Sequence, residues 1–417
     1  MRFIHLADLH FGKSIHGVSL IDNQDQVVWV ERFLKIAQEI RPDAVVIAGD
    51  VYDRSAPSGE AVALFDRMIT RLEQLEISVL LIAGNHDSGQ RLSFAGGILA
   101  KQNIYIAGTM EKKLMHVEKK DEFGTVNFWL MPYLFPALVA DRLEDESIRD
   151  YDMAVRHLLQ EQEIDFSQRN VLVAHQNVVA DGRTVEPGGS ESMVGGVGKV
   201  DFTAFDGFDY VALGHIHSSY HVGRNTVRYA GSPLCYHFDE IKQPQKGPVL
   251  VSMGEKNKEI HMETLVIEPL HKMREIKGSY AGVKEEIEKQ RSTEEYLRVV
   301  ITDQRISPEI SESVRNLCRS RNSIVMELVS EYREYGDVSD VEKRTGEKKS
   351  VEEYFEELYK QRNHENEPDE KDQKLFAFVG EQVRHADETE KQCSEPDEGE
   401  VDRLLAFIME NYAGGVK

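Results

Sequence analysis

The chain has 417 residues, 41% of them apolar, which is enough for two or three domains with a buried core. Acids outnumber bases 73 to 50, and a net charge of −23 excludes a protein that coats nucleic acid by electrostatics alone. Cys235, Cys318 and Cys393 lie in no metal-ligand spacing, and so odd and sparse a count fits a reducing cytosol rather than a disulfide framework; no apolar run approaches the roughly 18 residues of a membrane span.

The opening stretch carries no charged-then-apolar leader, so a cytoplasmic protein with no membrane partner is expected. The acidity is uneven: residues 351–417 hold 19 acids and 8 bases, a net −11. Contact with nucleic acid must then be local, or assisted by cations or a partner.

Residues 1–268 alternate short apolar runs with amphipathic stretches, which predicts an α/β layered sheet or sandwich. The runs "RFIHLA", "DAVVIAG", "ISVLLIAG", "NVLVAH" and "DYVALG" are β-branched and continuous, as strands covered on both faces are. Residues 58–75 place Ala61, Leu64, Phe65, Met68 and Leu72 on one helical stripe. "VNFWLMPYLFP" at 126–136 and "GPVLVSM" at 247–253 read as further sheet material. Between two of the strands, residues 177–200 form a long glycine-rich loop. It is expected either to guide a strand of substrate or to be a mobile surface loop, and both readings stay open.

Residues 269–335 change character. Three strand-like runs, with helices near 282–290 and 309–320 between them, predict a small α+β domain. Residues 336–417 are acidic linkers around three amphipathic patches, headed by Val351, Leu375 and Val401. Too few residues surround them to bury their apolar stripes. Docking onto a partner is expected, with folding back on the preceding domain as the alternative.

Chemistry concentrates at strand ends. Gly12-Lys13-Ser14 has the tail of a phosphate-binding loop, but the glycine such a loop needs five residues earlier is Ala7, and Asp8 would repel a phosphate. The metal reading is better supported, because the same pattern occurs five times. Apolar runs end in Asp8-x-His10, in Asp50, in Asn85-His86-Asp87, in His175, and in His215-x-His217. Loops at the carboxyl ends of parallel strands gather along one edge, so Asp8, His10, Asp50, Asn85, His175, His215 and His217 should converge. His5 is expected to be structural. Gly49, Gly84 and Gly214 permit the tight turns such crowding needs.

Seven donors of Asp, Asn and His type, without cysteine, suit two divalent ions such as Mn²⁺ or Fe²⁺, with Zn²⁺ also compatible. Two ions about 3.5–4 Å apart orient a phosphate ester and activate water, so no serine or cysteine nucleophile is required. His86 is left over for transition-state stabilisation or protonation of the leaving oxygen. Asp87 beside it is expected to fix its tautomer.

The ordered set D-x-H, G-D, G-N-H-D, H and G-H-x-H resembles the calcineurin-like metallophosphoesterase superfamily. "GDVYDRSAPS", "AGNHDSGQRL" and "YAGSPLCYHFDE" are similar, within it, to the SbcD family of nuclease subunits. The resemblance implies a metallophosphoesterase β-sandwich flanked by helices, with a small α+β capping domain and a C-terminal helical partner-binding segment. It implies that Asp8, His10, Asp50 and His217 hold one metal, and that Asp50 (bridging), Asn85, His175 and His215 hold the other. His86 would be catalytic, supported by Asp87. It further implies a Mn²⁺-dependent 3′→5′ exonuclease on duplex DNA and an endonuclease on hairpins, serving DNA repair and recombination. The partner implied is the SMC-type ATPase SbcC, in a heterotetramer whose nuclease homodimer forms near 58–72 and 90–100. A stand-alone phosphodiesterase of the same superfamily is the alternative. One departure stands out: Asp53 occupies the place where archaeal and eukaryotic relatives carry a second active-site histidine.

Overall fold

The computed structural model describes residues 1–180, 198–242, 246–289 and 294–332. The chain divides into two compact units, Met1–Tyr332 and Arg333–Lys417. The second unit, with its three expected amphipathic patches, lies outside the described residues, as do 181–197 of the glycine-rich loop.

All five apolar runs are strands: Arg2–Leu6, Ala44–Ala48, Ser78–Ile82, Arg169–His175 and Tyr210–Gly214. The first three pair in parallel within one six-stranded sheet, and the last two pair in parallel within another. Their alternation explains why they read as continuous hydrophobic runs. Ala44, Val46 and Ala48 point into a core shared by both sheets, with Phe3, Leu80, Phe128, Val173, Tyr210 and Ala212. Val45 and Ile47 point the other way, onto the helices Asp25–Ile40 and Gly59–Gln74. The second sheet buries its outer face under Pro136–Leu143 and Tyr151–Gln160. The result is a β-sandwich with helices on both sides.

Local signals set the helix ends. Ser58 caps Gly59–Gln74 by accepting from the Ala61 amide, and Asp150 does the same for Met153. The expected sheet segment 126–136 is a strand only at Gly124–Met131. Pro132 and Pro136 bracket the change, and Pro136 opens a helix.

Residues Lys272–Ser330 form a three-stranded, all-parallel sheet in β-α-β-α-β order, with Tyr280–Lys289 and Pro308–Ser320 as crossovers. It has its own core of Ile276, Val283, Leu297, Val299 and Val314. Buried Asp25, at the start of the helix Asp25–Ile40, ties it to the sandwich. Its carboxylate accepts from the Tyr296 hydroxyl and lies 2.8 Å from His271 Nδ1.

His5 is structural. It is fully buried between the sheets, with Nε2 3.2 Å from the Leu213 carbonyl and Nδ1 3.0 Å from the Tyr210 hydroxyl. The carbonyl only accepts, so Nε2 carries the hydrogen and Nδ1 accepts from the tyrosine. Burial pushes its pKa down from 6.5 to about 3. Between those values the unfolded chain binds the proton and the folded chain does not, so His5 costs stability as pH falls through that window. His5→Gln, which cannot titrate, should flatten the loss of the urea midpoint between pH 6.5 and 3 relative to the unaltered chain. Parallel acid profiles would reject the assignment.

Candidate metal centre

Five strand ends from the two sheets meet at one edge, and the backbone there is bent to make them fit. Asp8, His10 and Asp50 adopt left-handed φ of 53°, 44° and 50°, and Gly49 one of 88°. Such values strain residues bearing a Cβ and persist only where surrounding contacts hold them. Those contacts are present. The Asp8 amide donates to the Gly49 carbonyl at 3.1 Å, and the His10 amide to the Asp50 carbonyl at 3.0 Å. The glycines are sterically required. A Cβ on Gly84 would stand 2.1 Å from Asp50 Oδ1, and one on Gly49 2.4 Å from His175 Nδ1.

All seven donors come together. Asp50 Oδ2 lies at the middle, 3.6 Å from His10 Nε2 and 3.4 Å from His175 Nε2. On one side, His10 Nε2 and His217 Nε2 face each other at 3.1 Å. On the other, Asn85 Oδ1 is 3.0 Å from both His175 Nε2 and His215 Nδ1. Asp8 spans the floor, its Oδ1 accepting from the His215 amide at 2.9 Å. Asp8, Asp50 and His175 place ligand atoms within 4.8 Å of one another, and so do His10, Asp53 and His86.

The electrostatics call for cations. Asp8 and Asp50 are almost wholly buried, where an ionised carboxylate needs positive charge beside it. Burial works against charge on His175, yet Asp50 and Asp8 pull its pKa up to about 9. Burial alone would raise Asp50, but His175, His10 and His86 hold it well below the usual carboxylate range. Burial pushes His10 down to about 4, so its lone pair is available at neutral pH. This donor set, with hard carboxylates, an amide oxygen and imidazoles around small gaps, fits two divalent ions, whose charge at His175 would replace the proton that Asp50 and Asp8 retain there.

A second layer orients the donors. His175 Nδ1 donates to the Ala48 carbonyl at 2.8 Å, which turns Nε2 toward the centre. His217 Nδ1 faces Glu240 Oε1 at 3.4 Å, and Glu240 is held by Lys246 at 2.7 Å. Burial would raise Glu240, but His217 and Lys246 bring it down to about 2. Asp53 pairs with Lys13 at 2.8 Å and stands 3.6 Å from His10 Nδ1. Lys13 is therefore bound to a carboxylate rather than curled around a nucleotide phosphate.

Sequence reasoning missed Glu240, Lys246 and the Lys13–Asp53 pair. Glu240 had one visible signal, as an acid inside the largely apolar stretch after the last histidine motif. The expected Asp87–His86 contact is replaced by another. His86 Nδ1 lies 2.9 Å from the Asp53 carbonyl, while the Asp87 carboxylate accepts from the Val51, Tyr52 and Gly84 amides. Asp87 therefore braces the turn that carries His86. Burial and the neighbouring Asp50 charge raise Asp87 to about 6.

Residues 1–219 match the model of the calcineurin-like phosphoesterase family, and residues 269–363 that of the type 5 capsule protein repressor C-terminal domain. The second match begins where the small domain was expected to begin and runs on beyond the described residues. A protein named as the SbcD subunit of the nuclease SbcCD, from Staphylococcus epidermidis, is 30% identical over 307 residues, covering 73% of this chain and 79% of that one. Its namesake from Staphylococcus saprophyticus is 33% identical over 304 residues, covering 71% and 77%. With five strand-end motifs in this order and more than half its length matched, the chain belongs to the calcineurin-like phosphoesterases, among the relatives of the SbcD nuclease subunit.

Proposed function

We propose that the chain is the nuclease subunit of an SbcC–SbcD-type complex, a DNA phosphodiesterase built on two divalent cations, with Mn²⁺ the best fit to its donors. The observation that carries this reading is Asp50 Oδ2, lying 3.6 Å and 3.4 Å from His10 and His175, which head two separate donor groups. Asp8, His10, Asp50 and His217 would hold one ion, and Asp50, Asn85, His175 and His215 the other. Bound there, the ions supply Lewis-acid stabilisation of the phosphoryl charge and a water of lowered pKa.

The chain's own residues do the rest. Asn85 and the five strand ends orient the phosphodiester. His86 takes its place beside His10, ring centroids 4.8 Å apart, and its Nδ1 hydrogen goes to the Asp53 carbonyl. In the imidazolium form, with a hydrogen on each ring nitrogen, His86 can give its Nε2 proton to the leaving oxygen and is left neutral with Nδ1–H still on that carbonyl. Water is the nucleophile, and the products are a hydroxyl and a phosphate monoester end.

The activities that go with this reading are 3′→5′ exonuclease action on duplex ends and endonuclease action on hairpins, in cytoplasmic DNA repair and recombination. The domain reading is a nuclease domain at 1–268, a DNA-capping domain at 269–335 and a segment at 336–417 that docks helix-in-groove on the coiled coil of SbcC. A homodimer within a heterotetramer accords with Phe94 at 81%, Ile98 at 69% and Val62 at 44% exposure, all inside the two segments expected to pair.

Asp50→Asn should abolish cooperative binding of two Mn²⁺ per chain in calorimetry. His86→Gln should keep both ions yet lose about 10²–10⁴ of turnover on bis(4-nitrophenyl) phosphate and on linear duplex DNA. Normal cutting by His86→Gln would remove the acid assignment. Hydrolysis of the chromogenic ester with intact duplex left untouched, even with the ATPase partner and ATP, would favour a stand-alone phosphodiesterase.

Truncation after residue 345 should abolish co-purification with the ATPase partner while sparing Mn²⁺-dependent hydrolysis of the chromogenic ester. Unchanged co-purification would reject the docking role of the tail.

A further inference from the structure

The segment Tyr133-Leu134-Phe135 runs along the rim of the donor cluster, on the side of Asn85, His175 and His215. The Tyr133 amide donates to the Ala83 carbonyl at 2.9 Å, which fixes the segment to the turn carrying Asn85. The half-buried Tyr133 ring stands 6.1 Å from the His175 ring and 6.2 Å from the His215 ring. Its hydroxyl lies 3.4 Å from that of Tyr151. Phe135 continues the line outward, its ring 4.9 Å from Tyr133 and edge-on to it at 77°. Leu134 and Val139 on either side are fully buried and fill the core, while Phe135 is 52% exposed. The described residues cover only about half of that ring.

We infer that Phe135, braced by Tyr133, is a stacking platform for a nucleobase next to the scissile phosphate, and that it selects DNA strands whose base has left the duplex stack. This rests on the two-cation nuclease reading above. Three points lead to it. A phosphodiester held at His175 and His215 brings its own nucleoside to the neighbouring rim, where the exposed ring lies. An aromatic face accepts any base and needs no charge, so it suits a chain of net charge −23 that cannot grip the backbone by electrostatics alone. A base still stacked and paired in duplex cannot lay its face on Phe135, so the contact rewards frayed ends and single strands.

The test uses the full-length chain with Mn²⁺ and short duplexes carrying a single-stranded end. Phe135→Ala should raise KM about tenfold, the loss expected for one stacked base, with little change in kcat and unchanged Mn²⁺ binding by calorimetry. Phe135→Trp should restore KM. An abasic nucleotide walked through the positions flanking the cut should, at one position, raise KM for the unaltered chain by the same factor and add nothing to Phe135→Ala. 2-Aminopurine at that position should be quenched on binding by the unaltered chain and less so by Phe135→Ala.

An unchanged KM, or penalties that add at every position, overturns the platform. So does a loss confined to kcat or to folding, which would mark Phe135 as merely structural. If the unaltered chain with Mn²⁺ cuts none of these substrates, the nuclease reading itself fails, and that result differs from every outcome above.

Discussion

The hydrogen bond from His175 Nδ1 to the Ala48 carbonyl, 2.8 Å long, crosses from one sheet of the sandwich to the other. Beside it, Asp8 Oδ1 accepts from the His215 amide, again between sheets. Together with the His5 contacts to Leu213 and Tyr210, these bonds fix the relative register of two sheets whose shared core is largely non-directional hydrophobic contact. Phe3, Phe128 and Tyr210 press the sheets together, with ring centroids 5.5 and 5.6 Å apart, but only the polar bonds determine which strand end lies opposite which. The donor cluster thus inherits its geometry from sheet packing. A side chain on a free loop could not hold Asp50 Oδ2 within 3.6 Å of imidazoles from two other strands.

That geometry carries an electrostatic debt, which the second layer of residues meets in part. Glu240 is wholly buried and ionised, and it keeps that charge because Lys246 and His217 surround it. Asp53 plays a similar part on the opposite wall, held below the ordinary carboxylate range by His10 and Lys13 against the pull of burial. Glu240 fixes Nδ1 of His217 so that Nε2 faces inward, and the Asp53 charge stands 3.6 Å from Nδ1 of His10, whose Nε2 also faces inward. Asp53 does double duty, since its carbonyl also receives His86 Nδ1 at 2.9 Å. A residue at this place that lost its carboxylate would keep the backbone contact to His86 and lose the hold on Lys13. In this chain that place is accordingly filled by a group that works through its neighbours.

The parts legible in the sequence are those written into contiguous residues. Continuous apolar runs ending in small residues and then Asp, Asn or His gave away both the buried strands and the donors they present, because burial on both faces removes polar interruptions. The β-α-β-α-β order of the small domain was readable for the same reason. Its pairing, parallel throughout, follows from the helical crossovers. Contacts made across the chain were not legible. Glu240 meets His217 from 23 positions away and Asp53 meets His86 from 33, and beyond an acid within a largely apolar stretch at Glu240 no local pattern announces either. Adjacency misled at His86-Asp87: on a tight turn successive side chains diverge, so the neighbour in sequence bonds the backbone and a distant carbonyl takes the ring. At 126–136, two prolines were the overlooked sign that the strand stops.

One helical turn joins the donor-bearing edge to the small domain. Asp25 faces outward to Tyr296 and His271 of that domain. Gln26, the next residue, faces the other way. Its amide nitrogen donates to the His10 carbonyl at 2.8 Å and its oxygen accepts from the Gly12 amide at 3.0 Å. Both residues are buried at 2% exposure, so neither can relax into solvent. Buried polar groups of this kind keep their partners or incur the full desolvation penalty, about 1–3 kcal/mol for each group left unmatched. A displacement of the small domain large enough to part Asp25 from Tyr296 must either break that contact or tilt the turn. Tilting the turn moves Gln26 and, with it, the loop bearing His10. The small domain and the donor cluster are therefore held by a single rigid element, with no flexible linker between the two contacts.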